Sequence, residues 1–281
     1  VKGVGEAGRA ALMRFDRPLK GRDLDDAMRR VRLHPDVEWV EPDVLVKRQA
    51  LPSDASFNLQ WYLQDPGTEI AGMNLPLAWD LSTGTNVVVA VVDNGVRPSH
   101  PELSGKLVAG YDFISELAVA ADGNGRDSNT TDPGDFVTAG DLSDPLFDGC
   151  VVSDSSWHGT FIAGQIGAAT NTNGVGVAAI NWAARIQPVR VSGKCGAIVS
   201  DLLDGTRWAA GLPVAGVNDN PTPARVINLS FGGDAACSPA YQSMVDDVRD
   251  AGALLVVAAG NNDGPLKRPA DCKGVMAVGA V

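Results

Sequence analysis

Residue types able to do chemistry stand where apolar runs stop. Asp93 directly follows residues 87–92, Val-Val-Val-Ala-Val-Val; Ser230 follows residues 226–229; Asn261 comes just after the run 254–259. A carboxylate placed after so apolar a run needs hydrogen-bond partners, because burying it bare is strongly unfavourable. His158, one of three histidines in the chain, is the natural partner. It opens the run His158-Gly159-Thr160-Phe161-Ile162-Ala163-Gly164, whose small residues let a helix pass close to a sheet and hold the imidazole on its first turn. An Asp bonded to one ring nitrogen fixes the tautomer and stabilises the imidazolium, leaving the other nitrogen as a general base. An isolated His is more often a satisfied core residue; the acid at a strand end reverses that reading here.

The elements that must position these groups follow from hydropathy patterning. Residues 87–92, 186–191, 226–229, 254–259 and 275–278 are near-continuous apolar runs, as expected of parallel strands covered on both faces. Between them, residues 199–210 and 239–251 have helical length and spacing, with Gly211 and Gly252 where a helix end wants positive φ. The expected fold is α/β, an open, mostly parallel sheet with helices on both faces, and in such sheets sites form beyond the carboxyl ends of the strands. Ahead of it lies a small α+β unit. Residues 10–15 read as extended, residues 24–33 as a helix with Asp23 as N-cap and His34-Pro35 as its stop, and residues 37–46 alternate like a strand. So few residues make a marginal core, so this unit is expected to dock on something larger. Residues 47–56 read as a linker, dividing the chain into residues 1–50 and 51–281.

Composition narrows the function classes. The 281 residues are 44% apolar and 20% charged, enough for a sizeable core, and the net charge of −11 argues against nucleic acid as a partner. Residues 1–50 hold 11 Lys+Arg and 9 Asp+Glu, against 12 and 25 in the remainder, a contrast that also favours two separately built parts. No apolar run approaches the length of a membrane helix, so no membrane partner is expected. The chain begins at Val, which places any signal peptide outside it. Residues 112–154 carry ten Asp or Glu against the single Arg126. Within them Asp122-Gly-Asn124-Gly-Arg126-Asp127 is similar to a calcium loop, but Arg126 stands where an oxygen ligand is needed, so a solvated surface insertion is expected. Cys150, Cys195, Cys237 and Cys272 lack any Cys-x-x-Cys pair, which favours disulfides over a zinc site; buried free thiols are the alternative, and the pairing stays open.

Taken in order, Val-Val-Asp93-Asn-Gly-Val with His100-Pro101-Glu102-Leu103, then His158-Gly-Thr-Phe-Ile-Ala-Gly, then Ser230-Phe-Gly-Gly, then Ala-Ala-Gly-Asn261, resemble the successive motifs of the subtilase family over about residues 55–281. Residues 10–47, with Val40-Glu41-Pro42-Asp43, are similar to that family's inhibitory propeptide. The resemblance implies a secreted, monomeric serine endopeptidase with an Asp-His-Ser triad and an acyl-enzyme intermediate. It makes Asp93 the orienting acid, His158 the general base and Asn261 the oxyanion donor. It makes Ser230, Phe231 and Gly232 the backbone that pairs with substrate, and Ala259 and Gly260 a wall of the primary specificity pocket. Partners are then protein or peptide substrates and the chain's own propeptide as an intramolecular inhibitor. No cofactor is required for the chemistry and no metal residue is assigned, although structural calcium is compatible with the resemblance.

Three departures qualify it. Phe161 replaces a second His found in many relatives, at a position expected to pack against the core, and Glu102 stands where Asp is frequent. The nucleophile's Gly-Thr-Ser-x-Ala motif does not occur in residues 1–281, so the chain as written is expected not to hydrolyse peptides, and its peptidase domain is expected to be incomplete at its C-terminus. Ser155 and Ser156 adjoin His158 and cannot be presented by a separate helix. The alternative reading is a non-catalytic subtilase-like binding module or inhibitor, which needs no Ser. A Rossmann-like nucleotide binder fits the sheet but lacks G-x-G-x-x-G, and Asp93 in the first turn repels phosphate.

Overall fold

The computed structural model describes residues 2–4, 10–42, 51–172, 174–261 and 263–280, and its contacts separate two units, Val1–Arg48 and Gln49–Val281. In the first, β1 (Lys2–Val4) pairs antiparallel with β2 (Ala10–Leu12), and α1 (Arg22–Arg32) follows. β1 has no counterpart among the expected elements, because three residues are too few to show alternation. α1 stops where expected, with Leu33 as C-cap, but it starts from Gly21 rather than Asp23. Gly21 takes φ 53°, a conformation open to glycine, and this moves Asp23 into the first turn, where it and Asp25 complement the positive helix end. The expected strand over 37–46 does not form across 37–42, while 43–46, like residues 47–50 of the expected linker, lie outside the described residues.

The second unit contains α2 (Leu75–Trp79), β3 (Val88–Asp93), β4 (Tyr111–Asp112), α3 (Leu117–Ala120), α4 (His158–Gly167) and β5 (Arg185–Arg190). It continues through the hairpin β6 (Ser192–Gly193) and β7 (Gly196–Ala197), α5 (Val199–Ala209), β8 (Val226–Leu229), α6 (Pro239–Asp250), β9 (Leu254–Ala258) and β10 (Met276–Val278). Six strands form one parallel sheet in the order β10-β9-β8-β3-β5-β4. Alternation along β3 divides the core. Ala90 and Val92 share a cluster with Leu202 and Trp208 of α5 and Met244 and Val248 of α6, whereas Val89 and Val91 share one with Ile186 of β5 and Ala163 of α4. Helices therefore cover both faces, and Asp93, which continues the odd-numbered side of β3, faces α4. Val92, Leu229 and Val257 are in register, so β3, β8 and β9 end level at one rim.

The acidic segment corrects the expectation of a solvated insertion in part: Glu116, Asp144, Asp148 and Asp154 are exposed, but Asp112 and Asp132 are buried. Asp112 lies in β4 at the sheet edge, in register with Arg190 of β5, which is in register with Asp93. Arg190 is 1% exposed; it pairs with buried Asp112 and, at 2.6 Å, with Asp122, and it donates to the Ala120 carbonyl. Burial nevertheless outweighs the cation at Asp112 and pushes its pKa up to about 6. Arg126, the residue that spoils the calcium-like loop, turns inward to Asp201 at 2.6 Å and Asp204 at 2.9 Å. An Asp that faces a guanidinium and an Asp that faces water look alike in a sequence, which is why composition misleads here. The four cysteines form two disulfides, Cys150–Cys195 and Cys237–Cys272, with Cα separations of 6.0 and 5.2 Å. The first ties the acidic segment to the β6–β7 hairpin.

Arg190→Met leaves two carboxylates without their counter-charge. The unfolding free energy at pH 7, read by urea denaturation, is expected to fall by about 3–5 kcal/mol. The loss should shrink at pH 5, where Asp112 is protonated.

Candidate active site

Asp93 reaches the rim with 1% of its surface exposed, and both carboxylate oxygens lie 2.9 Å from Nδ1 of His158. The backbone N–H of Asn94 donates to Asp93 Oδ1 at 2.8 Å. An ionised carboxylate only accepts, so Nδ1 carries the proton and Nε2 keeps its lone pair. The imidazole is 40% exposed while its partner is buried. The hydrogen bond that Nδ1–H donates to Asp93 is the strongest influence on the ring; with the charges of Asp93 and Asp135 it outweighs the opposing effect of burial and raises the pKa above its ordinary 6.5. The arrangement is that of a base whose conjugate acid is stabilised in place.

Local sequence explains this geometry. α4 begins at His158 from Trp157, which takes a left-handed φ of 51° as N-cap. A Cβ on Gly159 would lie 2.2 Å from the Gly95 carbonyl oxygen and 3.0 Å from Asp93 Cβ, and one on Gly167 would lie 2.7 Å from Ile186 Cδ1. The small-residue run therefore does bring the helix hard against β3 and β5. Its buried residues are Gly159, Ala163 and Gly167, one row at a spacing of four. Phe161 stands about 200° around the helix from Gly159. It is accordingly 62% exposed, and the expectation that it packs against the core is corrected.

The remaining sequence candidates gather at the same rim. Ser230 follows β8 directly, and its Oγ accepts from Asn228 Nδ2 at 2.7 Å. Phe231 packs on the larger core cluster. A Cβ on Gly232 would lie 2.6 Å from the Arg268 carbonyl, and Gly233 N–H donates to that same oxygen at 2.9 Å. Ala259 N–H donates to Val278 O at 2.8 Å, and Gly260 takes φ 97°, which turns the chain beyond β9 and leaves Asn261 exposed. β9 is two strands from β3, roughly 10 Å across the sheet. Asp93, His158, Ser230 and Asn261 thus share one edge of the sheet, although they come from three strand ends and a helix.

Sequence reasoning missed Asn94 and Asp135. Asn94 is 3% exposed, and its side-chain amide joins Ser156 to the Gly159 N–H. Its place in Asp-Asn-Gly signals a turn and nothing more. Asp135 is one of ten acids in its segment, with no mark to separate it from the others. Among the described residues, one cluster of metal-ligand types brings its donor atoms within 4.8 Å, namely Cys237, Asp271 and Cys272, and its two sulfurs are already joined to each other. Glu102 is buried, with its carboxylate packed over Gly176.

A model of the subtilase family matches residues 84–281. An extracellular protease of Xanthomonas campestris pv. campestris is 42% identical over 271 residues, covering 96% of this chain and 45% of the relative. An extracellular basic protease of Dichelobacter nodosus is 44% identical, covering 88% of this chain and 40% of the relative. The chain therefore spans less than half the length of these curated relatives. Among solved structures, proteases from Pseudoalteromonas arctica superimpose with a TM-score of 0.76 at 45% identity, over 83% of this chain and 66% of theirs.

Because Asp93 supplies both the bond and most of the charge that favour the imidazolium, Asp93→Asn is expected to lower the His158 pKa. The sign follows from the raised folded value. The stabilisation by a charged His158 is fully present below the unfolded pKa and is lost as pH rises through the higher folded one, so the substitution moves that loss to lower pH. An NMR titration of the His158 Cε1 proton reads the shift.

Proposed function

The chain belongs to the subtilase family, and from that premise we propose that it is part of a secreted serine endopeptidase made as a proenzyme. The observation that carries this reading is the pairing of buried Asp93 with His158 through Nδ1, which leaves Nε2 to act on a nucleophile. This reading takes the nucleophilic Ser from chain beyond residue 281; the two relatives are more than twice as long as the stretch they share with this chain. Ser Oγ attacks the scissile carbonyl as His158 Nε2 takes its proton; His158 then returns that proton to the leaving amine, and a water releases the acyl group by the same two transfers. Asp93 holds the ring and stabilises its cation throughout. Asn261 donates its side-chain amide to the developing oxyanion, a task suited to an exposed carboxamide just past a strand end.

Substrate enters as an extended peptide along the rim. The backbone after β8, Ser230, Phe231 and Gly232, pairs with it as an added strand, and Ala259 and Gly260 line the pocket for the side chain at the cleaved bond. Residues 1–50 act as the inhibitory segment, and cleavage falls within residues 47–56. The two disulfides and the relatives' extracellular names support export.

A fluorophosphonate probe should label the full-length protein at a single Ser, and His158→Ala should abolish both labelling and propeptide processing, with kcat falling by about 10⁴-fold or more. Asn261→Ala should cost about 10²–10³-fold in kcat with KM little changed. Retained processing in the His158→Ala protein would contradict its assignment as base.

A further inference from the structure

One connected set of hydrogen bonds runs from the acidic segment to the Asp93–His158 pair. Residues 130–132 lie against the turn that follows β3: Val96 N–H donates to Thr130 O at 3.0 Å and Asp132 N–H to Val96 O at 2.8 Å. Asp132, 4% exposed, accepts the Gly134 N–H at 2.8 Å, and Gly134 bends the chain with φ 104°. The bend presents Asp135, whose two carboxylate oxygens accept the N–H and the Oγ–H of Ser156, each at 2.6 Å.

Having given its proton to Asp135, Ser156 Oγ is an acceptor. It receives Asn94 Nδ2 at 3.1 Å and the His158 N–H at 3.3 Å. This fixes which way the Asn94 amide points, because its Oδ1 must then accept the Gly159 N–H, which lies 2.8 Å away. That N–H belongs to the first turn of α4, where a helix cannot satisfy its own donors. Asn94 therefore caps α4 from another segment, while its backbone N–H holds Asp93 Oδ1. No link along the path is long enough to need a water.

We propose that Asp135, Ser156 and Asn94 are positioning residues for the Asp93–His158 pair, fixing the first turn of α4 against the end of β3. The inference rests on the reading of His158 as the base. Asn94 acts on both partners at once, through the helix that carries the ring and through the carboxylate itself. Asp135 acts through its charge as well as through Ser156, and it adds to the upward shift of the imidazole. The charges that act on the ring are those of Asp93, in contact with Nδ1, and Asp135, bonded to Ser156 two residues before it. Asp132 feels Asp135, Arg190 and Asp93, and Arg97 lies over the neighbouring Trp157 ring at 5.0 Å.

The test uses the full-length protein and two readouts, the NMR titration of His158 and the pH profile of kcat/KM. Asp135→Asn keeps a polar group of the same shape but removes the charge. The His158 pKa is expected to fall, and the acid limb of the profile to move down with it, while Asp135→Glu keeps the wild-type position. Asn94→Ala should lower kcat by roughly 10- to 100-fold with little change in KM, as displacement of a catalytic group does. Asp135→Asn and Asp135→Glu proteins that both titrate at the wild-type pKa, or an Asn94→Ala protein with wild-type kcat, would overturn the proposal. The titration needs no turnover. A shift without activity in any protein would support the positioning role and contradict the peptidase reading instead.

Discussion

A carboxylate at the end of an all-apolar strand has to be answered by neighbouring groups, and the rim of this sheet is built around that requirement. β3 carries Asp93 out of a run that is buried on both faces, to a place where water reaches 1% of it. In such surroundings charges act through a far lower effective dielectric than bulk water, so whatever stands beside the carboxylate is held firmly and feels it strongly. The imidazole of His158 and the backbone N–H of Asn94 fill that role. The next strands continue the pattern, since Asp93, Arg190 and Asp112 occupy one register across β3, β5 and β4. Asp93 is thus one member of a row of residues of alternating charge type that runs across the end of the sheet.

The second constraint is distance. An Asp and a His from different elements meet at 2.9 Å only if the backbones that carry them nearly touch. Gly159 makes this approach feasible, since no other residue fits against the Gly95 carbonyl. The row Gly159, Ala163 and Gly167 extends the contact along α4 and seats the helix on Ile186 and β3. Parallel strands that end level then deliver Ser230 and Asn261 to the same edge without any further device. Depth of helix packing, strand register and strand-end chemistry are in this way three expressions of one geometry.

Much of this was legible in the sequence because the signals were local and strong. β8 falls on residues 226–229 as read; the runs 87–92 and 186–191 are each shifted by one residue from their strands, at both ends, and the run 254–259 extends one residue past its strand. Gly211 and Gly252 have φ of 86° and 81°, as their places after helices require. Asp93 and His158 meet because a strand end and a small-residue helix start are patterns that hydropathy exposes. Long-range polar chemistry was not legible. Arg190 and Arg126 look like surface cations until their strand and loop turn inward, and Asp135 is hidden among its fellow acids. β4, two residues long, carries no periodicity at all. Phe161 was misjudged because membership of a helix does not fix a face; that is set by the row through Gly159.

The central claim is that the rim of this sheet assembles an acid, a base and an oxyanion donor around one nucleophile. The most direct measurement is a crystal structure of the full-length protein after reaction with a peptidyl phosphonate. The account predicts a phosphonylated Ser with its oxygen within hydrogen-bond reach of His158 Nε2, the phosphonyl oxygen accepting from the Asn261 amide, and the peptide lying along the backbone of residues 230–232. A covalent adduct on a Ser remote from His158, or an Asn261 turned away from the phosphonyl oxygen, would contradict it.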